Sequence, residues 1–329
     1  MKGDGKRRMD LNLSIIVPCY NASETIVRCL DSVSALPGAE IIVVDDRSTD
    51  NSVEVIEAYA RSHAANIRLL QNSANMGPGP TRNHGVQCAS KKFITFLDAD
   101  DEFTADYAEA VREPMSRDFD VIVYNATQVF ESHSFRRFMF VCKEFPEGTV
   151  EPKKALVYMN GSTWGKIYQT EMIRRNHVVF GSTLRGEDGL FTSVALSYAK
   201  SVYYVNRELY LYYDTPNSLI KNQSLVSFQN YVQNFEELQA KLAGRGYDAE
   251  LNSLYLMGIL YGGISYCLAS NYPLKKVRSL YKSFRARYNA KDKYLKGYQT
   301  KYLLTFLMFE LRLFRLFRAL KKVYQTKVR

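Results

Sequence analysis

The sequence predicts an α/β protein with a mostly parallel β-sheet that is covered by helices on both faces. In the first 105 residues, four short apolar segments alternate with three segments of helical periodicity. The apolar segments are hydrophobic at nearly every position, which is typical of strands buried on both faces of a parallel sheet. Strands and helices that alternate in this way form doubly covered sheets, and such sheets bind ligands beyond the carboxyl ends of their strands.

The first 105 residues contain the clearest elements. The first predicted strand is LSIIVPCYN, and the next helix spans residues 23–33, where apolar residues recur at helical spacing. The second strand and helix are AEIIVVDD and TDNSVEVIEAYARSH. The third strand is IRLLQN, a helix follows within GPTRNHGVQCAS, and the fourth strand is KKFITFLDADD. Three of these strands end in polar or acidic residues, so we expect a ligand site at their carboxyl ends.

Beyond residue 105 the alternation becomes less regular. The predicted strands are FDVIVYNAT and SVYYVNRELYLYY, with FRRFMFVCKEF as a further candidate, and GEDGLFTSVALSYAK is predicted to be a helix. From Ser224 onward the pattern is helical and rich in tyrosine. We therefore divide the chain into a flexible basic N-terminus, two halves of one domain and a helical C-terminal region, at residues 1–12, 13–105, 106–222 and 223–329.

The composition limits the class of protein. A hydrophobic fraction of 46% with 24% charged residues is typical of a globular protein. The five cysteines are scattered without paired spacing, which disfavours a disulfide framework or a zinc site and fits a reducing cytosol. The polar, basic start does not resemble a signal peptide, and the sequence lacks the run of about 18 apolar residues expected of a spanning helix.

The net charge of +10 is unevenly distributed. From Tyr272 to the C-terminus, 17 lysines and arginines oppose two acids, whereas the rest of the chain carries 27 basic and 32 acidic residues. A negatively charged partner would therefore bind mainly to the C-terminal tail. We do not expect nucleic acid to be that partner, because no known nucleic-acid-binding module accompanies the charge.

The fourth strand is followed by four acids within five residues: Asp98, Asp100, Asp101 and Glu102. Asp98 and Asp100 after a buried strand form a hard-oxygen site suited to Mg²⁺ or Mn²⁺. Asp45 and Asp46 end a neighbouring strand, and carboxylates that converge on one crevice are costly unless a cation or a donor-rich ligand is present. The alternative is an acidic turn without a ligand, since two aspartates at this spacing are common by chance.

Six motifs occur in the order found in a known enzyme family. They are IIVPCYNASETIVRCLDSV, IIVVDDRSTDNSVEVI, NMGPGPTRNHGV, FITFLDADDEF, WGKIY and GEDGLF. Together they resemble the family 2 glycosyltransferases, which have the nucleotide-sugar-binding GT-A fold. The resemblance covers residues 13 to about 215. It implies a nucleotide-sugar-binding half at 13–105 and an acceptor-binding, catalytic half at 106–222.

The resemblance implies roles for the residues of the first two motifs. Pro18, Tyr20 and Asn21 would face the nucleoside, with the Tyr20 ring against the base. Asp46 would accept a hydrogen bond from the imide of uracil.

The third and fourth motifs would bind the rest of the donor. Asn75, Gly77 and Arg82 match an N-x-G-x(4)-R stretch, in which Gly77 lets the backbone approach and Arg82 reaches the nucleotide. Asp98 and Asp100 would form the metal site. Asp98 would hold the ribose or a metal-bound water, and Asp100 would ligate the Mn²⁺ or Mg²⁺ that bridges the diphosphate.

The last two motifs would form the acceptor side. Asp188 would be the general base, and Glu187 beside it would help to position the acceptor. A carboxylate opposite the leaving group suits a single displacement that inverts the anomeric configuration. Trp164 and Lys166 would contact the acceptor, although Trp164 has the alternative of being a core aromatic residue.

One stretch departs from the family pattern. Asp214 and the two residues after it stand where relatives commonly carry Arg, His or Gln near the pyrophosphate. Either Lys221 replaces the lost basic contact, or this loop does not reach the phosphates.

The tail from Thr300 has a helical period. One predicted face carries Phe306, Phe309, Leu313, Leu316, Phe317, Leu320 and Tyr324, and the other carries Arg312, Arg315, Arg318 and Lys322. A basic amphipathic helix with aromatic residues on its apolar side suits the surface of an anionic membrane. The alternative is a helix that packs its apolar face on the catalytic domain.

The sequence therefore predicts a metal-dependent, inverting glycosyltransferase at the cytoplasmic face of the cell membrane, with a homo-oligomer as an open expectation. It would move a hexose or N-acetylhexosamine from a UDP-linked donor to a cell-surface glycan precursor, carried on a polyprenyl diphosphate. Two alternatives stay open: an acceptor that is an anionic polyol-phosphate polymer, and a catalytically silent, membrane-associated scaffold. A nucleotidyltransferase is disfavoured, because PCYNAS lacks the glycine-rich loop and lysine of a phosphate cradle.

Overall fold

The computed structural model describes residues 10–63, 66–137, 139, 145–214, 225–269, 272–287, 292, 294–298 and 300–320. Within these residues ten strands form one sheet: β1 (Leu13–Cys19), β2 (Glu40–Asp45), β3 (Ile67–Gln71), β4 (Phe93–Phe96), β5 (Glu102–Phe103), β6 (Val121–Val129), β7 (Ser134–Arg137), β8 (Gly148–Val150), β9 (Lys166–Gln169) and β10 (Val202–Tyr213). The strand order is β3-β2-β1-β4-β9-β6-β10-β5, with β7 paired to β6 and β8 paired to β10.

The helices between and after the strands are α1 (Ile26–Ser34), α2 (Ser52–Ser62), α3 (Pro78–Cys88), α4 (Tyr107–Ser116), α5 (Pro152–Tyr158), α6 (Thr170–Arg175), α7 (Glu187–Tyr198), α8 (Leu225–Leu242), α9 (Asp248–Leu254), α10 (Ile264–Ala269), α11 (Leu274–Arg285) and α12 (Thr300–Glu310). A π-helical stretch, Tyr255–Gly263, joins α9 to α10. The predicted α/β fold with C-terminal helices is therefore confirmed.

The first half of the sheet has the predicted parallel pairing. β1 pairs in parallel with β2 and β4, and β2 pairs in parallel with β3. Every residue of β2 and β4 is buried, which explains why these strands are apolar without alternation. Parallel pairing brings the carboxyl ends of β1, β2 and β4 to the same edge of the sheet.

The second half of the sheet is mixed. β6 and β10 are parallel, whereas β9 runs antiparallel to both β4 and β6, and β10 runs antiparallel to β5 and β8. β6 and β7 form an antiparallel hairpin, since a short turn can join only antiparallel neighbours. The candidate strand FRRFMFVCKEF is observed only at its start, in β7, and residues 138 and 140–144 lie outside the described residues.

The C-terminal helices form a second, smaller core beside the sheet. Its fully buried members include Leu256, Ile264, Val277 and Phe309. α8 packs against α7 and so connects this region to the part of the chain that contains the sheet. No described helix combines the length and the hydropathy needed to cross a membrane.

The tail differs from the single amphipathic helix that the sequence predicts. α12 ends at Glu310, Arg312 takes a positive φ of 56°, and residues 314–320 form a separate helical segment. Phe309 and Phe314 are buried in the second core, whereas Leu313, Leu316 and Leu320, predicted to share a face with Phe309, are exposed. Residues 1–9, 215–224 and 321–329, which include Lys221, Lys322 and Tyr324, lie outside the described residues.

Candidate active site

The loops after β1 and β2 interlock at the carboxyl edge of the sheet. Asn21 has a positive φ of 50°, and its Oδ1 accepts a hydrogen bond from the backbone N–H of Thr49 (2.7 Å). The backbone N–H of Asn21 donates to Ser48 Oγ at 2.9 Å. Tyr20 is 49% exposed, so its ring is accessible to a planar ligand, while Pro18 lies within β1. Asn21 thus shapes the turn that presents Tyr20.

Asp46 closes the loop that leads into α3. It is buried, and its Oδ1 accepts hydrogen bonds from the backbone N–H of Met76 (2.9 Å) and from Asn72 Nδ2 (2.8 Å). Its Oδ2 accepts from the backbone N–H of Gly77 at 2.8 Å, and Gly77 itself has a φ of 85°. Asn75 is exposed within this loop. Contact of Asp46 and Asn75 with the nucleotide stays a prediction, and the loop-holding role of Asp46 could not be read from the motif.

Arg82 on α3 lies at the centre of a buried charge network. Its Nη2 is 2.9 Å from Asp98 Oδ1, and its Nη1 is 3.1 Å from Asp188 Oδ1 and 3.4 Å from Glu187 Oε1. The Arg82 side chain is only 6% exposed. One guanidinium therefore joins the predicted donor-side acid to the predicted base and its neighbour.

Burial changes the acidity of the two carboxyl groups at the start of α7. Burial, reinforced by the charge of Asp188, raises the pKa of Glu187 to about 7. Burial also raises the pKa of Asp188, although the Arg82 guanidinium lowers it in part. A carboxyl group with a raised pKa is a stronger base once ionised, which suits proton abstraction near neutral pH.

Each acid after β4 has a different environment. Asp101 is fully buried and accepts hydrogen bonds from Tyr210 Oη (2.7 Å) and from the backbone N–H of Tyr213 (2.8 Å). Burial raises the pKa of Asp101 well above its usual range, and the sequence predicts no role for this residue. Asp98 and Asp100 are partly exposed, and Asp98 contacts Arg82.

Arg28 on α1 supports the same turn. Its Nη2 donates to the carbonyl oxygen of Asp100 at 2.5 Å, and its Nε is 3.0 Å from Glu102 Oε1. The guanidinium also lies 3.8 Å from the centre of the Tyr213 ring. Sequence analysis missed Arg28, because nothing in its local pattern indicates a partner more than 70 residues away.

The turn after β4 offers only some of the ligands that a divalent cation needs. Asp98 and Asp100 offer the carboxylate oxygens that Mg²⁺ and Mn²⁺ prefer. Among the described residues, no group of three or more His, Cys, Asp or Glu side chains is arranged to hold a metal ion. A cation at this turn would therefore need further oxygen ligands, and the diphosphate of a nucleotide sugar is a suitable source.

The two predicted acceptor residues are buried. Lys166 Nζ donates to the carbonyl oxygens of Asn160 (3.0 Å) and Ser162 (2.5 Å), and burial lowers its pKa to about 7. Trp164 is 6% exposed and stacks on Tyr210, with ring centres 5.0 Å apart. This burial favours the core alternative for Trp164, and acceptor contact by either residue stays a prediction.

A comparison with protein-family models identifies one match. Residues 14–175 match the model of glycosyl transferase family 2. EpsJ of Bacillus subtilis, described as an uncharacterized glycosyltransferase, is 30% identical over 248 residues, which are 70% of this chain and 69% of EpsJ. TarS of Staphylococcus aureus, a poly(ribitol-phosphate) beta-N-acetylglucosaminyltransferase, is 31% identical over 61% of this chain, a match that spans 35% of TarS.

Solved structures show the same fold. TarS 1–349 of S. aureus, in complex with UDP-GlcNAc, has a TM-score of 0.65 at 22% identity and covers 86% of this chain and 93% of its own. The mannosyltransferase PcManGT of Pyrobaculum calidifontis, in complex with GDP-Man and Mn²⁺, has a TM-score of 0.55 at 16% identity and covers 96% of this chain and 88% of its own. Together with the matching motifs, these relatives place the chain in family 2 of the glycosyltransferases.

Proposed function

We propose that this glycosyltransferase transfers a hexose or N-acetylhexosamine from a UDP-sugar with inversion, using Asp188 as general base and a divalent cation at Asp98 and Asp100. The observation that carries the proposal is the Arg82 network, in which one buried guanidinium lies within 3.1 Å of both Asp98 and Asp188. The Arg82 guanidinium thus brings the proposed donor-side acid and the proposed base into one site.

The chemistry follows from this arrangement. The acceptor oxygen bonds to the anomeric carbon, the bond from that carbon to the diphosphate oxygen breaks, and the hydroxyl proton moves to Asp188. Asp98 and Asp100 would hold a divalent cation that stabilises the negative charge on the departing diphosphate. Arg82 stabilises the ionised form of the partly exposed Asp188, since an opposite charge at 3.1 Å favours the charged form.

The donor is proposed to be UDP-linked because the structure of TarS, which shares the fold, contains UDP-GlcNAc. A panel of UDP-sugars and GDP-mannose should be tested for binding and hydrolysis, with and without Mn²⁺ or Mg²⁺, in the wild type and in Asp100→Ala. We expect one UDP-sugar to be turned over only with metal, and Asp100→Ala to abolish turnover. If no nucleotide sugar binds under any condition, the proposal is wrong; if a donor binds but is never turned over with any acceptor, the silent-scaffold alternative gains support.

The acceptor has two candidates. We propose a hydroxyl of a cell-surface glycan precursor carried on a polyprenyl diphosphate, at the cytoplasmic face of the membrane. The match to a poly(ribitol-phosphate) transferase favours a polyol-phosphate polymer as the second candidate. Transfer assays with membrane extracts and with soluble poly(ribitol phosphate) would separate the two, since only the first acceptor partitions into detergent.

Exposed leucines in the tail, rather than its phenylalanines, support the proposal that the tail attaches to a membrane. Two rows at positions i, i+3 and i+7 are between 39% and 59% exposed: Leu304, Leu307 and Leu311, and then Leu313, Leu316 and Leu320. Leu304 and Leu307 lie on one face of α12, and Leu316 and Leu320 lie on one face of the segment 314–320, whereas Leu311 and Leu313 belong to the turn between the two helical segments. Arg312 and Arg315 are exposed beside these rows, so the surface combines apolar side chains with positive charge.

Co-sedimentation with vesicles tests this attachment. We expect binding to vesicles that contain phosphatidylglycerol, weakened by salt, and little binding to pure phosphatidylcholine. The triple variant Leu304→Ser, Leu307→Ser, Leu311→Ser should lose most of this binding, whereas Val179→Ser, at a similarly exposed apolar residue elsewhere, should not. Equal sedimentation of the triple variant and the wild type would contradict the attachment.

A further inference from the structure

The loop at residues 181–186, which we call the base loop, leads directly into Glu187 and Asp188. Its start is held by α3: Asn83 Nδ2 donates to the carbonyl oxygen of Phe180 (3.0 Å), and the backbone N–H of Phe180 donates to Asn83 Oδ1 (2.9 Å). α3 and the base loop are in close contact, since a Cβ added at Gly79 would lie 2.5 Å from the carbonyl oxygen of Gly181. Asn83 follows Arg82, so this end of the loop is tied to the donor side.

The other end of the base loop is held by the C-terminal region. Asn234 on α8 is 5% exposed, and its Oδ1 accepts a hydrogen bond from Thr183 Oγ1 at 2.9 Å. Its Nδ2 donates to the carbonyl oxygen of Arg185 at 2.8 Å. An asparagine can satisfy a donor and an acceptor at once, which neither an ionised aspartate nor a leucine can do.

Gly186 allows this close approach. Its φ is +80°, and a Cβ there would lie 2.9 Å from Tyr231 Cδ1 and 3.0 Å from Asn234 Nδ2. The backbone therefore turns against α8 immediately before the two acids. The direction in which α7 begins, and with it the position of Asp188, depends on this contact.

We propose that Asn234 is a positioning residue, which holds the base loop so that Asp188 stays beside Arg82 and faces the bound donor. The proposal rests on the proposed function of Asp188. Asn234 lies beyond residues 14–175, the part of the chain that matches the family model. The C-terminal helical region thus contributes to the arrangement of the acceptor side as well as to the second core.

The donor side is held by other contacts. Asp46 binds the backbone N–H groups of Met76 and Gly77, so the loop before α3 keeps its shape without Asn234. Loss of the Asn234 contacts should therefore slow turnover and leave donor affinity almost unchanged. A general loss of folding would lower turnover and the number of UDP sites titrated per protein together, because it reduces the amount of active protein, and turnover per titrated site would stay unchanged.

The variants Asn234→Asp and Asn234→Ala test this role, with Leu238→Ala as the matched control. Leu238 is equally buried on the same helix, one turn further along. We expect both Asn234 variants to lower kcat for hydrolysis of the UDP-sugar found in the donor panel by about ten-fold or more, because small misplacements of a base are costly. The Kd for UDP should stay within about two-fold of the wild type, as expected when only the chemical step is affected. Leu238→Ala should lower Tm, but it should not lower kcat selectively while leaving the Kd for UDP unchanged.

Hydrogen exchange gives a readout that needs no turnover. Amides of residues 182–188 should exchange faster in Asn234→Asp than in the wild type, and at the wild-type rate in Leu238→Ala. Thr183→Val should slow turnover less in the Asn234→Ala background than in the wild type, since both changes remove the same hydrogen bond.

The proposal is overturned if the Asn234 variants keep the wild-type kcat and exchange rates, or if Leu238→Ala reproduces their effects. An inactive wild type would instead contradict the proposed function, and the exchange experiment would still decide whether Asn234 holds the base loop.

Discussion

Replacing Arg82 by methionine removes the positive charge that three acids share. The guanidinium lies 2.9 Å from Asp98, 3.1 Å from Asp188 and 3.4 Å from Glu187. Methionine fills a similar volume but leaves these carboxyl groups without their common cation. Both the stability of the protein and the acidity of the candidate base should therefore change.

The cost in stability can be bounded from the exposure of the three acids. Removing one partner of a buried ion pair costs about 3–5 kcal/mol. The Glu187 side chain is 8% exposed, whereas those of Asp98 and Asp188 are 27% exposed and partly screened by water. We therefore expect the lower end, about 3 kcal/mol, which corresponds to a fall in Tm on the order of 6 °C for a chain of this size.

The pH dependence of turnover should change in a defined direction. The Arg82 charge lowers the pKa of both Glu187 and Asp188, so its loss raises them. Because the base must be ionised to accept a proton, the acid limb of kcat/KM should move to higher pH. The loss of Tm should also be smaller at pH 5 than at pH 8, since Glu187, whose pKa is about 7, is then mostly protonated in both proteins.

Thermal denaturation and pH profiles of donor hydrolysis, recorded for the wild type and Arg82→Met, test this reasoning. Arg174→Met is the control, because Arg174 Nη2 donates to the carbonyl oxygens of Val86 (2.7 Å) and Ala89 (2.6 Å) rather than to an acid. It should lower Tm without moving the acid limb. An unchanged Tm together with an unshifted acid limb in Arg82→Met would refute the reasoning.

Three further predictions concern the same region. Burial raises the pKa of Glu187 to about 7, so the native state holds this proton more tightly than the unfolded state does. The Tm of the wild type should therefore fall relative to that of Glu187→Gln between pH 5 and pH 8, and parallel Tm curves would contradict this. Burial lowers the pKa of Lys166 to about 7, so the Tm of the wild type should rise relative to that of Lys166→Met as pH increases from 7 towards about 10. A constant difference in Tm between the two proteins would be evidence against the lowered pKa. Gly186→Ala should lower Tm and turnover, because residue 186 has a φ of +80°. Gly189→Ala should leave Tm unchanged or raise it, because an added Cβ there meets nothing within 4 Å. Similar losses in both variants would argue against the close contact of Gly186 with α8.

The first half of the fold could be predicted because its signals are local. β1, β2 and β4 are mostly apolar and are buried at every or nearly every position, and the helices after β1 and β2 have clear periodicity. Parallel pairing then follows from the alternation of strands and helices, and it places Asn21, Asp46 and Asp98 at one edge.

The second half could not be predicted in the same detail, because its pairing depends on contacts between distant segments. β9 lies between β4 and β6 and runs antiparallel to both, although it is only four residues long. The prediction for the tail is wrong for a similar reason. Helical periodicity alone does not show that Phe309 packs in the second core while Leu313 and Leu316 are exposed.

The sequence indicates individual residues for the candidate site but not the contacts between them. The motifs indicate Arg82, Asp98 and Asp188, yet no spacing shows that the guanidinium that contacts Asp98, 16 residues away, also contacts Asp188, 106 residues away. Asn234 carries no sequence signal at all, since an asparagine in a helical segment is ordinary. Its role depends on where α8 packs against the base loop.

The most direct test of the central claim is the turnover of Asp188→Asn, measured with the donor from the panel alongside the Kd for UDP. Asparagine keeps the shape of the side chain but cannot accept the proton. We expect turnover to fall on the order of a hundred-fold or more, with UDP affinity retained and with Asp118→Asn, at an exposed acid outside the Arg82 network, behaving like the wild type. Turnover of Asp188→Asn close to that of the wild type would contradict the assignment of Asp188 as the base.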